Sequence, residues 1–166
     1  SLYGWHGGKN QQWVIKYSND DGYFKVQSRC DSMFLDASGG VANDGTNVQV
    51  WGENDTVAQK WKFIACGDSV GQTVSDGNYE IISELDWGKC LDVDDGGDTN
   101  GTNVQLWERH GGENQIFNVA YKGDGYYEIT AVSSGRALDQ NGGYMKRASA
   151  GRINAVIPYY GYGRQD

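Results

Sequence analysis

Proline and long apolar runs are almost absent from this sequence. Its 166 residues contain a single proline, and no apolar run approaches the ~20 residues that a helix needs to cross a bilayer. The amino terminus also lacks the basic segment followed by an apolar one that marks a signal peptide. We therefore expect no membrane-spanning segment. Because the chain begins at Ser1 rather than Met, we expect a processed or recombinant protein from which a leader could have been removed.

Basic residues are fewer than acidic residues in this sequence. The chain has 14 lysines and arginines against 22 aspartates and glutamates, which gives a net charge of -8. A field of this sign repels phosphate backbones and anionic lipid surfaces. Nucleic acid and membrane surfaces are therefore not expected as partners.

Cysteine is scarce and lacks metal-binding spacing. Cys30, Cys66 and Cys90 include no CxxC pair and have no pair of histidines beside them, which argues against zinc. We expect them to be small buried residues, and one disulfide bridge among them stays open as an alternative. The acidic segment 92–98, DVDDGGD, does not fit a twelve-residue EF-hand loop and has no final glutamate. We therefore expect no metal site and no cofactor.

Glycine and aromatic residues are abundant instead. The chain contains 25 glycines, 11 tyrosines and 6 tryptophans, which is typical of short aromatic-rich strands joined by tight turns. Its length suits one globular domain with a real core. We expect an all-β protein.

The sequence repeats itself at a fixed interval. Residues 43–51 read NDGTNVQVW and residues 99–107 read TNGTNVQLW. Asp36 and Asp92 have the same spacing of 56 residues, as do Gln59 and Gln115. The shared spacing fixes the register of two complete copies.

A third copy is divided between the two ends of the chain. Residues 124–139 repeat 76–92, and residues 2–13 repeat 106–117. The chain therefore starts in the middle of a repeat, and the third unit forms only if its ends meet. We predict repeats at 14–64, at 65–120, and at 121–143 together with 1–13.

Each repeat is expected to contain four short strands. Alternating apolar residues between Gly, Asn and Asp turns predict strands typified by Tyr79–Ser83, Lys89–Val93, Asn103–Trp107 and Gln115–Ala120. Along the chain this gives two strands, four, four and two. Three such units around a pseudo-threefold axis bury a face that none could bury alone.

A QxW motif recurs at the matching position of each repeat. It is present as Gln11-Gln12-Trp13 and Gln59-Lys60-Trp61, and is relaxed to Gln115-Ile116-Phe117. With the preceding LD and VQ[VL]W segments, residues 1–143 resemble the ricin-B-type lectins and the similar modules of bacterial glycoside hydrolases. The resemblance implies a β-trefoil in which each repeat can carry a shallow sugar site.

The residues at the matching positions have the chemistry that a sugar site needs. A pyranose presents an apolar C–H face and a rim of hydroxyls, so it needs an aromatic plane and a few fixed donors and acceptors. The middle repeat has the complete set, with Asp92 as acceptor, Trp107 as stacking platform, Gln105 and Gln115 as support, and Asn114 and His110 as further polar contacts.

The other two repeats depart from this set. The first has Asp36, Gln49, Trp51 and Gln59, but Ala58 stands in place of Asn114 and no histidine lies within 52–57. The split repeat has Asp139, Tyr3, His6, Asn10 and Gln11, with Ser1 in the position of Gln105. The glutamines and tryptophans of QxW also have a structural interpretation, in which they serve the core and the turns.

The resemblance implies non-catalytic binding, with glycans that contain galactose, xylose or arabinose as the expected ligands. The acidic residues are scattered along turns, and the repeat gives no reason to expect the pair of carboxylates 5–10 Å apart that a glycosidase needs. We therefore expect a binding protein rather than an enzyme, with mono- or polysaccharides as partners and an extracellular location, as for secreted lectin modules.

The last 22 residues do not continue the repeat. Residues 145–166 read MKRASAGRINAVIPYYGYGRQD and resemble a stretch of ribose-phosphate pyrophosphokinases, in which Arg164, Gln165 and Asp166 would contribute to nucleotide binding. So short a piece cannot carry that enzyme's activity. We interpret the chain as a chimera with a foreign tail at 144–166.

The tail contains a β-prone apolar run at 153–160 that should find a partner. One option is pairing with the split repeat, where Pro158 would confine it to an edge. The other is exchange between chains, which would give a homo-oligomer. The alternative to sugar binding is accordingly a recombined protein whose tail completes the fold or drives assembly, with no retained physiological activity.

Overall fold

The computed structural model describes residues 1–18, 22–66 and 74–140. The tail predictions, including the 153–160 strand and the roles of Arg164, Gln165 and Asp166, lie outside these residues. In the described part the strands are β1 Leu2–Tyr3, β2 Trp13–Tyr17, β3 Phe24–Ser28, β4 Phe34–Ala37, β5 Thr46–Trp51, β6 Trp61–Ala65, β7 Gly77–Ser83, β8 Lys89–Val93, β9 Val104–Glu108, β10 Phe117–Gly123, β11 Tyr126–Ala131 and β12 Ala137–Leu138.

Five short 3₁₀ helices accompany these strands in the described residues: Lys9–Gln11, Ser38–Gly40, Val57–Gln59, Asp94–Gly96 and Glu113–Gln115. The strand predicted to begin at Gln115 in fact begins at Phe117, because residues 113–115 form one of these helical turns. No helix in the described ranges is long and apolar enough to span a membrane.

Six of the strands close into a barrel. The antiparallel neighbours run β2–β3, β3–β6, β6–β7, β7–β10, β10–β11 and β11–β2, which returns to the starting strand. Closure leaves the barrel without a free edge that could recruit another chain.

A two-stranded hairpin lies between the two barrel strands of each repeat. The hairpins are β4–β5, β8–β9 and β12–β1. In the last of them the two parts of the split repeat meet, since Leu2 pairs with Leu138 and the amide of Asp139 donates to the carbonyl oxygen of Ser1 at 2.8 Å. The split repeat is thus completed by both ends, and the fold is a β-trefoil of three four-stranded units. The predicted boundary at 143/144 falls outside the described residues and stays a prediction.

The aromatic residue of each QxW motif fills the core. Trp13, Trp61 and Phe117 are at most 1% exposed. The indole Nε1 of Trp13 donates to the Leu138 carbonyl oxygen at 3.0 Å, and that of Trp61 donates to the Leu35 carbonyl oxygen at 3.1 Å. Each tryptophan therefore ties a barrel strand to the hairpin of its own repeat, which agrees with the structural interpretation of these residues.

The cysteine expectation was wrong for two of the three residues. Cys90 is buried, but Cys30 and Cys66 are exposed, because Cys30 lies in the turn between β3 and β4 and Cys66 directly follows β6. Cys90 pairs with Trp107 in the middle hairpin, and desolvation by burial raises the pKa of its thiol to about 12. A thiol so buried is a packing residue.

Candidate functional site

One nearly buried aspartate marks the same position in each hairpin. Asp36 lies opposite Gln49, Asp92 lies opposite Gln105, and Asp139 lies opposite Ser1. All three aspartates are 3–4% exposed. The pseudo-threefold fold therefore sets one fixed carboxylate at an equivalent place in every repeat.

Side-chain amides hold the carboxylate of Asp92 in the middle repeat. Gln105 Nε2 donates to its Oδ1 at 3.3 Å, while Asn114 Nδ2 and Gln115 Nε2 donate to its Oδ2 at 2.9 and 3.0 Å. An ionised carboxylate offers about four lone-pair directions. Three are taken, so one direction on Oδ1 is left to accept a hydrogen bond from a ligand hydroxyl.

The glutamine of each QxW motif lies below the surface. Gln11, Gln59 and Gln115 are 0% exposed, so they support the site from below, and their part in sugar binding stays a prediction. Gln115 Nε2 donates to Glu108 O at 2.9 Å, and Gln115 Oε1 accepts from the amide of His110 at 2.9 Å. Gln59 and Gln11 make the matching bonds in their own repeats. These side chains position the aspartate and the loop above it.

Each of the two histidines presents a proton beside an aspartate. His110 Nδ1 accepts from the amide of Gly112 at 3.2 Å, which places the hydrogen of a neutral imidazole on Nε2. That nitrogen lies 3.6 Å from Asp92 Oδ2, on a side chain that is 47% exposed. His6 repeats the arrangement, with Gly8 as donor to Nδ1 and Asp139 at 3.8 Å from Nε2.

An exposed aromatic ring lies at or next to the end of the second strand in two hairpins. Trp107 pairs with Cys90 and is 40% exposed, and Trp51 pairs with Phe34 and is 51% exposed. Tyr3 occupies the matching position opposite Ala137 in the split repeat and is half-buried. The middle repeat thus combines a partly exposed indole, a fixed acceptor and an imidazole donor beside that acceptor.

The first repeat forms an open groove of about 670 Å³. Asp36, Gln49, Trp51, Asn54, Thr56, Val57, Ala58 and Leu85 are among the residues that line it. Gln49 Nε2 and Gln59 Nε2 donate to Asp36 at 3.1 and 3.0 Å. Asn54 takes the place of the histidine, since its Oδ1 accepts from the amide of Thr56 at 3.0 Å. Asn54 was not among the predicted site residues, although the spacing of 56 residues from His110 identifies it.

The split repeat also brings its predicted residues together. Asn10 Nδ2 donates to Asp139 Oδ2 at 2.8 Å, His6 lies beside the same oxygen, and the amide of His6 donates to Gln11 Oε1 at 2.8 Å. The terminal amine of Ser1 donates to the Asp139 carbonyl oxygen at 3.3 Å. This site therefore combines residues from both ends of the described chain.

A second groove in the middle repeat was not predicted. It has a volume of about 440 Å³ and is lined by Glu80, Trp87, Gly88, Glu108, Arg109 and Gly111. Trp87 is 52% exposed. The only sequence signal for it is a tryptophan without a counterpart in the other repeats, where Asp31 and Ser134 stand.

Comparison with known proteins relates the fold to lectins. Residues 9–73 and 57–153 match the family described as ricin-type β-trefoil lectin domain-like. The designed threefold-symmetric protein ThreeFoil is 34% identical with a TM-score of 0.65, over 72% of this chain and 79% of its own. The ricin B-like lectin of Macrolepiota procera, solved in complex with lactose, is 25% identical with a TM-score of 0.54, over 69% of this chain and 73% of its own.

The end of the chain matches a different family. Residues 143–166 match the N-terminal domain of ribose phosphate pyrophosphokinase. A ribose-phosphate pyrophosphokinase of Clostridium perfringens is 95% identical over 22 residues, which are 13% of this chain and 7% of that enzyme. Both resemblances seen in the sequence are therefore confirmed, and the chain spans only a small part of the curated enzymes that it matches. Because the lectin match covers most of the 166 residues, the protein belongs to the ricin-type β-trefoil lectin domain-like family.

Proposed function

We propose that this protein binds neutral glycans without transforming them, through one shallow site in each repeat, and that the middle repeat binds most strongly. The observation that carries the proposal is the combination of Asp92, held by three amides, with the His110 Nε2 donor and the open face of Trp107. Membership of a lectin family supports carbohydrate binding as the class of function.

The chemistry of the middle site suits a pyranose. An indole face covers the apolar side of a sugar ring, while the carboxylate and imidazole match neighbouring hydroxyls, and hydrogen bonds to a charged acceptor are the stronger ones. A shallow site buries little of its ligand, so a single sugar should bind with a Kd on the order of 1 mM, or about -4 kcal/mol. Three sites on one domain would add avidity for a polysaccharide.

Galactose, xylose and arabinose are the proposed sugar units. The Macrolepiota procera lectin was solved in complex with lactose, a disaccharide that contains galactose, and membership of the same lectin family supports galactose as a proposal for this chain. The net charge of -8 disfavours acidic glycans such as sulfated or uronic acid polymers. Neutral glycans therefore fit better than acidic ones.

A non-catalytic role is part of the proposal. Among the described residues that line the first groove, Asp36 is the only acid. The Asp92 carboxylate is held by amides rather than by a second carboxylic acid that could share a proton with it. Hydrolysis of a glycosidic bond needs two carboxyl groups on either side of that bond. Release of reducing sugar from a polysaccharide would contradict this part of the proposal.

Binding to insoluble galactan, xylan and arabinan tests the proposed function. We expect the full chain to be depleted from solution by at least one of them. Trp107→Ala should weaken that binding about tenfold or more, because it removes the stacking surface, and Asp92→Asn should weaken it similarly. Trp87→Ala is the matched control, since Trp87 is also an exposed tryptophan, 52% against 40% for Trp107, and lies outside the three sites. Equal binding by the Trp107 and Trp87 variants would contradict the proposal.

The tail and the location belong to the proposal too. We propose an extracellular lectin module joined to a fragment of an intracellular enzyme, as the two unrelated matches suggest, with assembly through segment 153–160. Removing residues 145–166 should reduce the number of chains in each particle in solution. An unchanged number of chains together with an unchanged stability would refute any role of the tail in assembly or fold.

A further inference from the structure

The first groove differs from the other two sites at three adjacent positions. The segment after the histidine position reads Gly8, Lys9 and Asn10 in the split repeat and Gly112, Glu113 and Asn114 in the middle repeat, but Thr56, Val57 and Ala58 in the first repeat. A charged residue is thus replaced by an apolar one, and an amide by a methyl. Val57 is 40% exposed in the groove.

The three replacements fit each other sterically. A Cβ on Gly112 would lie 2.8 Å from Asn114 Oδ1 and 2.8 Å from His110 Cε1, and one on Gly8 would lie 2.5 Å from Asn10 Oδ1. A threonine at this position therefore requires the asparagine and histidine side chains to move or to be replaced by smaller ones. Ala58 and Asn54 supply that space, and Thr56 Oγ1 donates to Asn54 Oδ1 at 2.8 Å. The residues at 54 and 56–58 of the first groove are therefore compatible with one another.

The loop of the first groove is also fixed by charge. The Lys25 ammonium lies 2.9 Å from Glu53 Oε1 and 2.6 Å from Asp55 Oδ1, and its side chain is only 10% exposed. Asp55 has a φ of 55°, in the left-handed region where the other repeats have Gly7 and Gly111. A non-glycine residue there costs free energy, and the ion pairs to Lys25 hold the loop in that conformation.

The first groove has an apolar wall beside the carboxylate of Asp36. Val57 and Ala58 lie on one 3₁₀ helix, Leu85 comes from the neighbouring repeat, and Trp51 adds the indole. Asp36 keeps two amide donors, from Gln49 and Gln59, where Asp92 has three. A sugar hydroxyl against this wall would lose water without gaining a partner, whereas a methyl group would gain by removing apolar surface from water.

We propose that the first groove selects a pyranose that carries a methyl group, either as a 6-deoxy sugar or as an N-acetamido sugar, while the middle and split sites do not. This inference rests on the proposed function, because it presupposes that the three sites bind sugars. A single methyl or hydroxyl in an apolar pocket discriminates by roughly tenfold or more, which sets the expected preference.

Nuclear magnetic resonance of the indole N–H signals of Trp51 and Trp107 in the full chain tests the inference. The probes are D-galactose, D-fucose, which is 6-deoxy-D-galactose, and N-acetyl-D-galactosamine. At Trp51 we expect the Kd of D-fucose or of N-acetyl-D-galactosamine to be about tenfold lower than that of D-galactose. At Trp107 we expect no such preference. The sugar with the lower Kd at Trp51 identifies which methyl group is recognised.

Two variants make the test specific. Val57→Thr keeps the shape of the side chain but replaces one methyl by a hydroxyl, and it should reduce the preference at Trp51 to less than threefold while leaving Trp107 unchanged. The triple change Thr56→Gly, Val57→Glu and Ala58→Asn restores the middle-repeat sequence and should remove the preference.

The outcomes separate the two proposals. Equal affinities at Trp51 for the three sugars, or a Trp51 signal that moves with none of them while Trp107 responds, would overturn this inference and leave the proposed function standing. If neither indole responds to these three sugars or to xylose or arabinose, the proposed function fails and this inference fails with it.

Discussion

Replacing Gln115 by methionine should lower the free energy of unfolding by about 3–5 kcal/mol. The methionine side chain has nearly the same length, so the packing volume is kept and the loss reports hydrogen bonds. Gln115 is 0% exposed, donates to Asp92 Oδ2 and Glu108 O, and accepts from the amides of His110 and Gly111. Leaving each buried partner without its hydrogen bond costs about 1–3 kcal/mol. Water that reaches the loop bonds to some of these groups and recovers part of that free energy.

Urea denaturation followed by tryptophan fluorescence measures this loss. The midpoint should fall without a change in the slope, since the surface exposed on unfolding stays the same. Gln105→Met is the matched control, because Gln105 makes a single bond to Asp92 at 3.3 Å and is partly accessible at 7%. It should cost about 1 kcal/mol. A loss below about 1 kcal/mol for Gln115→Met, or equal losses for both variants, would refute the view that this glutamine organises the site.

Three further outcomes follow from the structure. Trp61→Phe removes the indole bond to Leu35 O and should cost about 1–2 kcal/mol in thermal unfolding, and a loss near 4 kcal/mol, as for a large cavity, would contradict that expectation. The hydrogen bond from Lys25 lowers the pKa of Asp55 below its usual 3.8, so this stabilisation is complete above the unfolded value and is lost as pH falls through the folded one. In the Asp55→Asn variant the free energy of unfolding should therefore fall less steeply below pH ~4. The same pH dependence in both proteins would show that the Lys25–Asp55 pair is not formed in solution. Burial raises the pKa of Cys90 to about 12, so this thiol should resist a thiol reagent at pH ~8 until the protein unfolds. If Cys90 of the native protein is modified as fast as the exposed Cys66, its burial is contradicted.

The repeat carried most of what the sequence could reveal about the fold. A fixed spacing of 56 residues identifies which positions are equivalent, and equivalent positions in a closed symmetric barrel share a register. Asp36 and Asp92 therefore lie at matching points of their hairpins, as predicted. The meeting of Leu2 with Leu138 follows from the same periodicity.

Burial and the shape of the grooves could not be predicted in the same way. The spacing equates Gln59 with Gln115 but does not reveal that both are fully buried beneath the aspartate. It equates Thr56 with Gly112, but it does not reveal that Asn114 and His110 lie within 3.0 Å of the place that a Cβ on Gly112 would occupy. Trp87, which lines the second groove, is matched by Asp31 and Ser134 in the other repeats, so symmetry gave no reason to look for a groove there. Space filling depends on contacts between positions, which a repeat does not encode.

A crystal of the full chain soaked in a mixture of galactose, xylose and arabinose tests the central claim most directly. We expect a sugar ring stacked on Trp107 with a hydroxyl hydrogen-bonded to Asp92 Oδ1 and another near His110 Nε2. Density for sugar in the Trp87 groove alone, or no sugar at Asp36, Asp92 and Asp139 while these sites are open to solvent in the crystal, would contradict it.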